Sequence, residues 1–124
     1  MSVSRSLLMF MRVAMLLQII VGIGLWTGHL NSFVNMHRAV GMLFVLALWI
    51  IAVIALAQRR AVGLAAFAIV WGVLVAGFGF SHQGILIGEW HWVIRVLHLV
   101  IGIASMPIAE RLAPAPIRAA AQMA

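Results

Sequence analysis

The chain has 124 residues, of which 66% are hydrophobic and only 8% are charged, and its net charge is +6. A water-soluble domain carries about a quarter of its residues as charged side chains. The composition therefore excludes a soluble globular enzyme and predicts a single domain within a lipid bilayer. The chain also contains no cysteine, which excludes disulfides, iron–sulfur clusters and thiolate zinc sites.

Four apolar segments follow one another along the chain, separated by short polar stretches. A helix needs about 20 apolar residues to span the hydrocarbon core of a membrane. The sequence therefore predicts an all-α integral membrane protein, an antiparallel bundle of four transmembrane helices. Residues 1–110 would form its single domain and residues 111–124 a cytoplasmic tail. The predicted spans are residues 7–28, 39–57, 61–80 and 90–109.

The arginines predict how the spans are oriented, because cytoplasmic loops carry an excess of positive charge. Two arginines, Arg38 and Arg95, fall on one side of the predicted bundle, and the other arginines fall on the opposite side. Both termini are therefore expected in the cytoplasm, with residues 29–37 and 81–91 outside. The positive net charge is accounted for by arginines that orient the spans in the membrane, and no nucleic-acid partner is expected. The cytoplasmic arginines are Arg5, Arg12, Arg59, Arg60, Arg111 and Arg118.

A short internal repeat divides the chain into two helical hairpins. Residues 24–29 align with residues 77–82, and each of these segments ends in histidine. Residues 37–41 align with residues 98–102, and each of these begins with histidine and ends with glycine. The second and fourth helices are thus expected to face each other across the bundle.

All histidines fall in or beside the outer half of the predicted membrane domain. His98 is the one placed well inside a span, where an ionisable side chain is costly and usually faces the bundle interior. His91, Arg95, His98 and Gly102 follow one another at i, i+4, i+7 and i+11, which places them on one helix face. This face is polar at its outer end and lacks a side chain at Gly102.

The paired His-x-x-x-Gly segments predict a haem site between the second and fourth helices. His37 and His98 would ligate the iron axially, while Gly41 and Gly102, one turn away, would let the flat ring approach the backbone. The propionates would point outward. Arg38 and Arg95 are the candidate partners for these carboxylates. A match in depth between the two histidines requires the second helix to extend upward through residues 31–35.

Each of these residues also has a simpler interpretation. His37 could be an ordinary interfacial histidine, and the two glycines could only allow close helix packing. Arg38 could serve topology alone, and Arg95 could snorkel to the membrane surface. Gln18, in the middle of the first span, could bond to a neighbouring helix or contact a quinone head group.

Three further histidines could form a second, outer metal site. Three imidazoles can hold copper or zinc, but Glu89 is the one carboxylate near them that could orient the ligands. Exposure at the headgroup level is the favoured interpretation. The three histidines are His29, His82 and His91.

Residues 36–49, Met-His-Arg-Ala-Val-Gly-Met-Leu-Phe-Val-Leu-Ala-Leu-Trp, resemble the second helix of the bacterial cytochrome b-five-sixty-one type, which includes superoxide oxidase. The position of His98 in the fourth helix and the arrangement of four spans also resemble this family. In addition, His37-Arg38-x-x-Gly41 is similar to an element near the quinone site in membrane anchors of succinate dehydrogenase. The resemblance implies haem b, quinone chemistry and the bacterial inner membrane. The di-haem members carry a histidine early in the first helix, where this chain has residues 10–12, Phe-Met-Arg. One outer haem is therefore expected.

Two functions of different classes follow from the sequence. The first is a single-haem electron-transfer subunit or quinone-linked oxidoreductase that serves a membrane quinone and a redox partner at the outer face. The second is a cofactor-free accessory subunit of a larger respiratory or photosynthetic membrane complex. Small size and glycine-rich spans favour the second, and the paired histidines favour the first.

Overall fold

Four long helices make up most of the computed structural model, which describes residues 2–114. Each helix is long and apolar enough to cross a membrane, so the predicted all-helical fold with four helices able to span a membrane is confirmed for this part of the chain. One-turn 3-10 helices precede the second helix and follow the third, at Asn31–Phe33 and His82–Gly84. The helices are α1 (Val3–Trp26), α2 (Val34–Ala57), α3 (Val62–Ser81) and α4 (His91–Leu112).

Helix α2 begins at Val34, five residues before the predicted start of the second span. The 3-10 turn Asn31–Phe33 leads directly into it, since neither glycine nor proline interrupts residues 31–40. The turn that ends α1 is compact, and Gly28 adopts a φ of 78° there, a conformation that glycine readily adopts. His37 therefore lies inside α2, and the upward extension that the haem prediction required is present.

Helix α4 ends at Leu112, so the first two residues of the predicted tail are helical. Ala113 is extended, with φ −69° and ψ 139°, as expected for a residue that precedes proline. Residues 115–124, which include Arg118 and most of the predicted tail, lie outside the described residues.

Contacts between the helices show an antiparallel bundle. The indole N–H of Trp71 on α3 donates to Ser105 Oγ on α4 at 3.1 Å, and α2 also contacts α4 across the bundle. One end, here called the histidine end, comprises residues 27–33 and 82–90. The opposite end, here called the terminal end, comprises residues 2–12, 58–61 and 110–114.

The terminal half of the bundle is closely packed by small and apolar side chains. Leu48 and Ile51 of α2 are fully buried there, and alanines let the helix backbones approach. Arg60 donates to the carbonyl oxygen of Leu112 at 3.0 Å, which satisfies a carbonyl that the end of α4 leaves free. The buried alanines of this core are Ala14, Ala47, Ala52, Ala55, Ala65, Ala68 and Ala109.

Helices α2 and α3 meet most closely where Trp49 covers Gly72. The Trp49 indole N–H donates to the carbonyl oxygen of Ile69 at 3.1 Å, and a Cβ on Gly72 would overlap the indole ring. We expect Gly72→Ala to lower the free energy of unfolding by about 1–3 kcal/mol through overpacking. Gly77→Ala is the control on the same helix, since a Cβ there has open space. Thermal unfolding in detergent compares the two, and equal midpoints would contradict the expected overlap.

Candidate functional site

A cavity of about 440 Å³ lies at the histidine end and is lined by side chains from all four helices. Its volume is in the range of about 300–1,000 Å³ that is typical of small-molecule sites. Phe44 and Val45 of α2 are buried side chains in its wall. All six site residues predicted from the sequence line this cavity, namely His37, Arg38, Gly41, Arg95, His98 and Gly102.

His37 on α2 and His98 on α4 approach each other within the cavity. Their ring centroids are 6.3 Å apart and their ring planes are tilted by 56°. Both side chains are partly buried. The bundle therefore brings together the two histidines that the sequence paired, although they are separated by sixty-one positions along the chain.

His82, from the end of α3, forms part of the same cluster. Its ring stacks on the ring of His98 with centroids 4.7 Å apart and planes within 7° of parallel. Its Nδ1 lies 2.9 Å from the carbonyl oxygen of Gly79. Phe78 stacks on both rings, at 6.3 Å from His82 and 6.0 Å from His98. The sequence placed His82 in an exposed loop, so its position in the cavity was missed.

The three histidines of the alternative metal site do not come together. His29 Nδ1 is 3.0 Å from Thr27 Oγ1, and His91 Nδ1 is 3.1 Å from the carbonyl oxygen of Ile85. His82 is stacked on His98 instead. Within residues 2–114, no group of three or more histidine or acidic side chains could hold a metal ion.

Glycines flank both imidazoles, but they are not the two that the sequence singled out. A Cβ on Gly22 of α1 would lie 3.5 Å from His37 Cε1, and a Cβ on Gly79 of α3 would lie 3.6 Å from His98 Cε1. Gly41 instead faces Gln18, whose Nε2 would be 2.8 Å from a Cβ there. Gly102 has open space where its Cβ would stand. All four glycines line the cavity.

Two arginines supply the positive charge of the cavity lining. Arg38 donates from Nη2 to Gln83 Oε1 at 3.2 Å, and the Arg95 guanidinium lies 5.8 Å from the centroid of the Trp26 ring. Both arginines are exposed. The only acidic residues of the chain are Glu89 and Glu110. Neither of them lines the cavity, so no carboxylate side chain does. This charge pattern favours an anionic group at the opening.

Gln18 joins α1 to the backbone beside His37. Its Nε2 donates to the carbonyl oxygen of His37 at 2.9 Å, which agrees with a bond to a neighbouring helix. Gln18 Oε1 and His37 Nδ1 are buried, and neither has a hydrogen-bond partner among the described residues. The side chain of Gln18 thus contacts His37 and carries a free acceptor, Oε1, while His37 carries a ring nitrogen, Nδ1, that also has no partner among the described residues.

The spacing of the two imidazoles fits a metal ion held between them. A metal–imidazole bond is about 2 Å long and the ring centroid lies about 1 Å beyond the bonded nitrogen, so two opposed imidazole ligands have centroids about 6 Å apart. The observed separation of His37 and His98 is 6.3 Å. Two imidazoles, glycines in the wall and cationic side chains at the opening are the groups that a porphyrin iron with carboxylate substituents requires.

Comparison of the chain with known protein families, with curated proteins and with solved structures finds no match. The resemblance of residues 36–49 to a cytochrome b family therefore stays a prediction. The function is inferred from the cavity and from the side chains that line it.

Proposed function

We propose that the protein is a haem b-binding integral membrane electron-transfer protein in which His37 and His98 are the axial ligands. The observation that carries the proposal is the pair of imidazoles 6.3 Å apart in a cavity of about 440 Å³. A haem iron with both axial positions taken by histidine exchanges single electrons and leaves no position open for oxygen.

The glycines support a flat prosthetic group in this cavity. Gly22 and Gly79 leave room beside the two imidazoles, and Gly102 faces open space. A larger side chain at these positions would occupy volume next to the ligands. Gly41 also lines the cavity, but Gln18 takes the space beside it.

The arginines support carboxylate substituents at the histidine end. Arg38 and Arg95 line the cavity without a carboxylate partner, and both are exposed. Hydrogen bonds between guanidinium groups and carboxylates are among the strongest in proteins. Arg38 would exchange its bond to Gln83 for such a pair, and Arg95 would turn from the face of Trp26.

Gln18 supports ligation through the other nitrogen of His37. A ligating histidine usually donates its second ring N–H to an acceptor, which fixes the tautomer and the ring orientation. Gln18 Oε1 is a buried acceptor without a partner on a side chain that already contacts His37. Donation from Nδ1 to this oxygen would satisfy both atoms and direct Nε2 to the metal.

The charge distribution supports an outer site in the bacterial inner membrane, with both termini cytoplasmic. Arg5, Arg12, Arg59, Arg60 and Arg111 lie at or near the terminal end, whereas Arg38 and Arg95 lie near the histidine end. The positive-inside rule then places the histidine end outward. A single site in the outer half does not bridge a hydrocarbon core about 30 Å thick. Electrons would pass at the outer face between a membrane quinone and a redox partner.

A dithionite-reduced minus oxidised visible spectrum of the purified protein tests the proposal, together with pyridine haemochrome quantitation. We expect a b-type α band and about one haem per chain. In spheroplasts that contain the protein, a membrane-impermeant reductant should also produce this band. A featureless spectrum from haem-replete cells would overturn the proposal. Copurification of that colourless protein with a large complex would then indicate the accessory subunit.

A further inference from the structure

We propose that His82 is a positioning residue for His98, holding the plane of this ligand through ring stacking. The inference rests on the proposed function and deepens it, because it assigns a role to a histidine that the two-ligand site does not use. His82 lies within the cavity cluster, yet its ring is parallel to that of His98. Two parallel stacked imidazoles do not direct their nitrogens at one metal ion.

Helix α3 holds the His82 ring from two sides. Its Nδ1 is 2.9 Å from the carbonyl oxygen of Gly79, three residues earlier in the last turn of α3. Phe78 stacks on it with planes 19° apart. The ring therefore has little freedom to rotate, and it presents a fixed flat surface to α4.

The His98 ring stacks on this surface, with its centroid 4.7 Å from that of His82. Its ring is within 7° of parallel to His82 and within 16° of parallel to Phe78. Gly79 lies against the same ring, and a Cβ there would stand at ordinary contact distance, 3.6 Å from His98 Cε1. Rotation of the His98 ring about its side-chain bonds would break both stacks. The position of the ring plane is thus set by α3 and not by α4 alone.

His37 is held in a different way. Its ring meets His98 at a tilt of 56°, and Gln18 contacts its backbone carbonyl. The two candidate ligands therefore have separate supports, a stacked surface for His98 and an amide for His37. Replacement of His82 should release one ligand and leave the other in place.

The test uses His82→Ala, which removes the stacked ring, and His82→Phe, which keeps an aromatic ring but loses the contact with Gly79. Outer contacts that orient metal ligands typically contribute about 10- to 100-fold to affinity. We expect haem titration of His82→Ala apoprotein to show affinity about 10-fold lower or more, with His82→Phe recovering most of the loss. His29→Ala, an exposed histidine at the same end, should match the wild type.

Low-spin EPR spectra of the haem-loaded variants supply a readout that mere loss of stability would not change. The angle between two axial imidazole planes sets the anisotropy of this signal. We expect a shifted and broadened signal in His82→Ala and a signal close to the wild type in His82→Phe.

A wild-type affinity and signal in His82→Ala would overturn the proposal. Complete loss of haem in both variants would also overturn it, because His82 would then be a ligand. A wild-type protein that binds no haem would overturn the proposed function as well.

Discussion

Replacement of His98 by alanine is expected to abolish stoichiometric haem binding and the b-type α band. The change removes one of the two imidazoles that lie 6.3 Å apart and leaves its partner on α2. His82 could take over only by leaving its contact with Gly79 and its stack on Phe78, both of which remain in this variant. Pyridine haemochrome quantitation of protein purified in detergent measures the loss, which should exceed about 10-fold in haem per chain.

His29→Ala is the matched control for this substitution. His29 is exposed at the same end of the bundle, and its side chain bonds only to Thr27 among the described residues, so its variant should keep the full haem content. Helical content and elution from a sizing column show whether His98→Ala remains folded. Full haem content with an unchanged spectrum in a folded His98→Ala protein would eliminate His98 as a ligand.

Replacement of Gly102 by phenylalanine is expected to give a folded protein without haem. Gly102 lines the cavity, and no side chain or neighbouring helix lies within 4 Å of the place its Cβ would take. The phenyl ring would therefore enter the cavity in which we propose that haem binds, and its Cβ would meet no neighbouring side chain among the described residues. We expect haem content to fall about 10-fold or more, since the porphyrin ring would have to displace the new phenyl side chain.

Gly77→Phe provides the control with the same substitution outside the cavity. Gly77 also has no neighbour within 4 Å of its Cβ position, but it does not line the cavity. Its variant should bind haem normally. Gly102→Ala should lose little, because one methyl group leaves most of the cavity open. Normal haem content in Gly102→Phe would show that the prosthetic group does not occupy this part of the cavity.

The sequence predicted the four helices because hydropathy depends on one helix at a time. It paired His37 with His98 because both begin a His-x-x-x-Gly segment of the internal repeat. It did not distinguish His82 from His29, which the internal repeat treats as equivalent. Helix α1 ends at Trp26, and the turn at Gly28 carries His29 away from the bundle. Helix α3 continues through Ser81, so His82 stays on the inner face.

The glycines beside the imidazoles show a second limit of sequence reasoning. Gly22 and Gly79 lie against His37 and His98, yet each belongs to a different helix from the histidine that it contacts. Periodicity along one helix tells which residues share a face. It does not tell which residue of a neighbouring helix lies opposite, because that register depends on side-chain packing such as the contact of Trp49 with Gly72.

The close packing of the terminal end has a consequence for biogenesis. This end is held together by the chain's own alanines, by the bond from Arg60 to Leu112 and by the ion pair of Arg12 with Glu110 at 3.1 Å. The newly inserted polypeptide can therefore adopt its bundle before any prosthetic group arrives. If the protein binds haem as proposed, haem loading would be the final step of maturation, and cells starved of haem should accumulate an intact, colourless precursor that later delivery converts to the pigmented form.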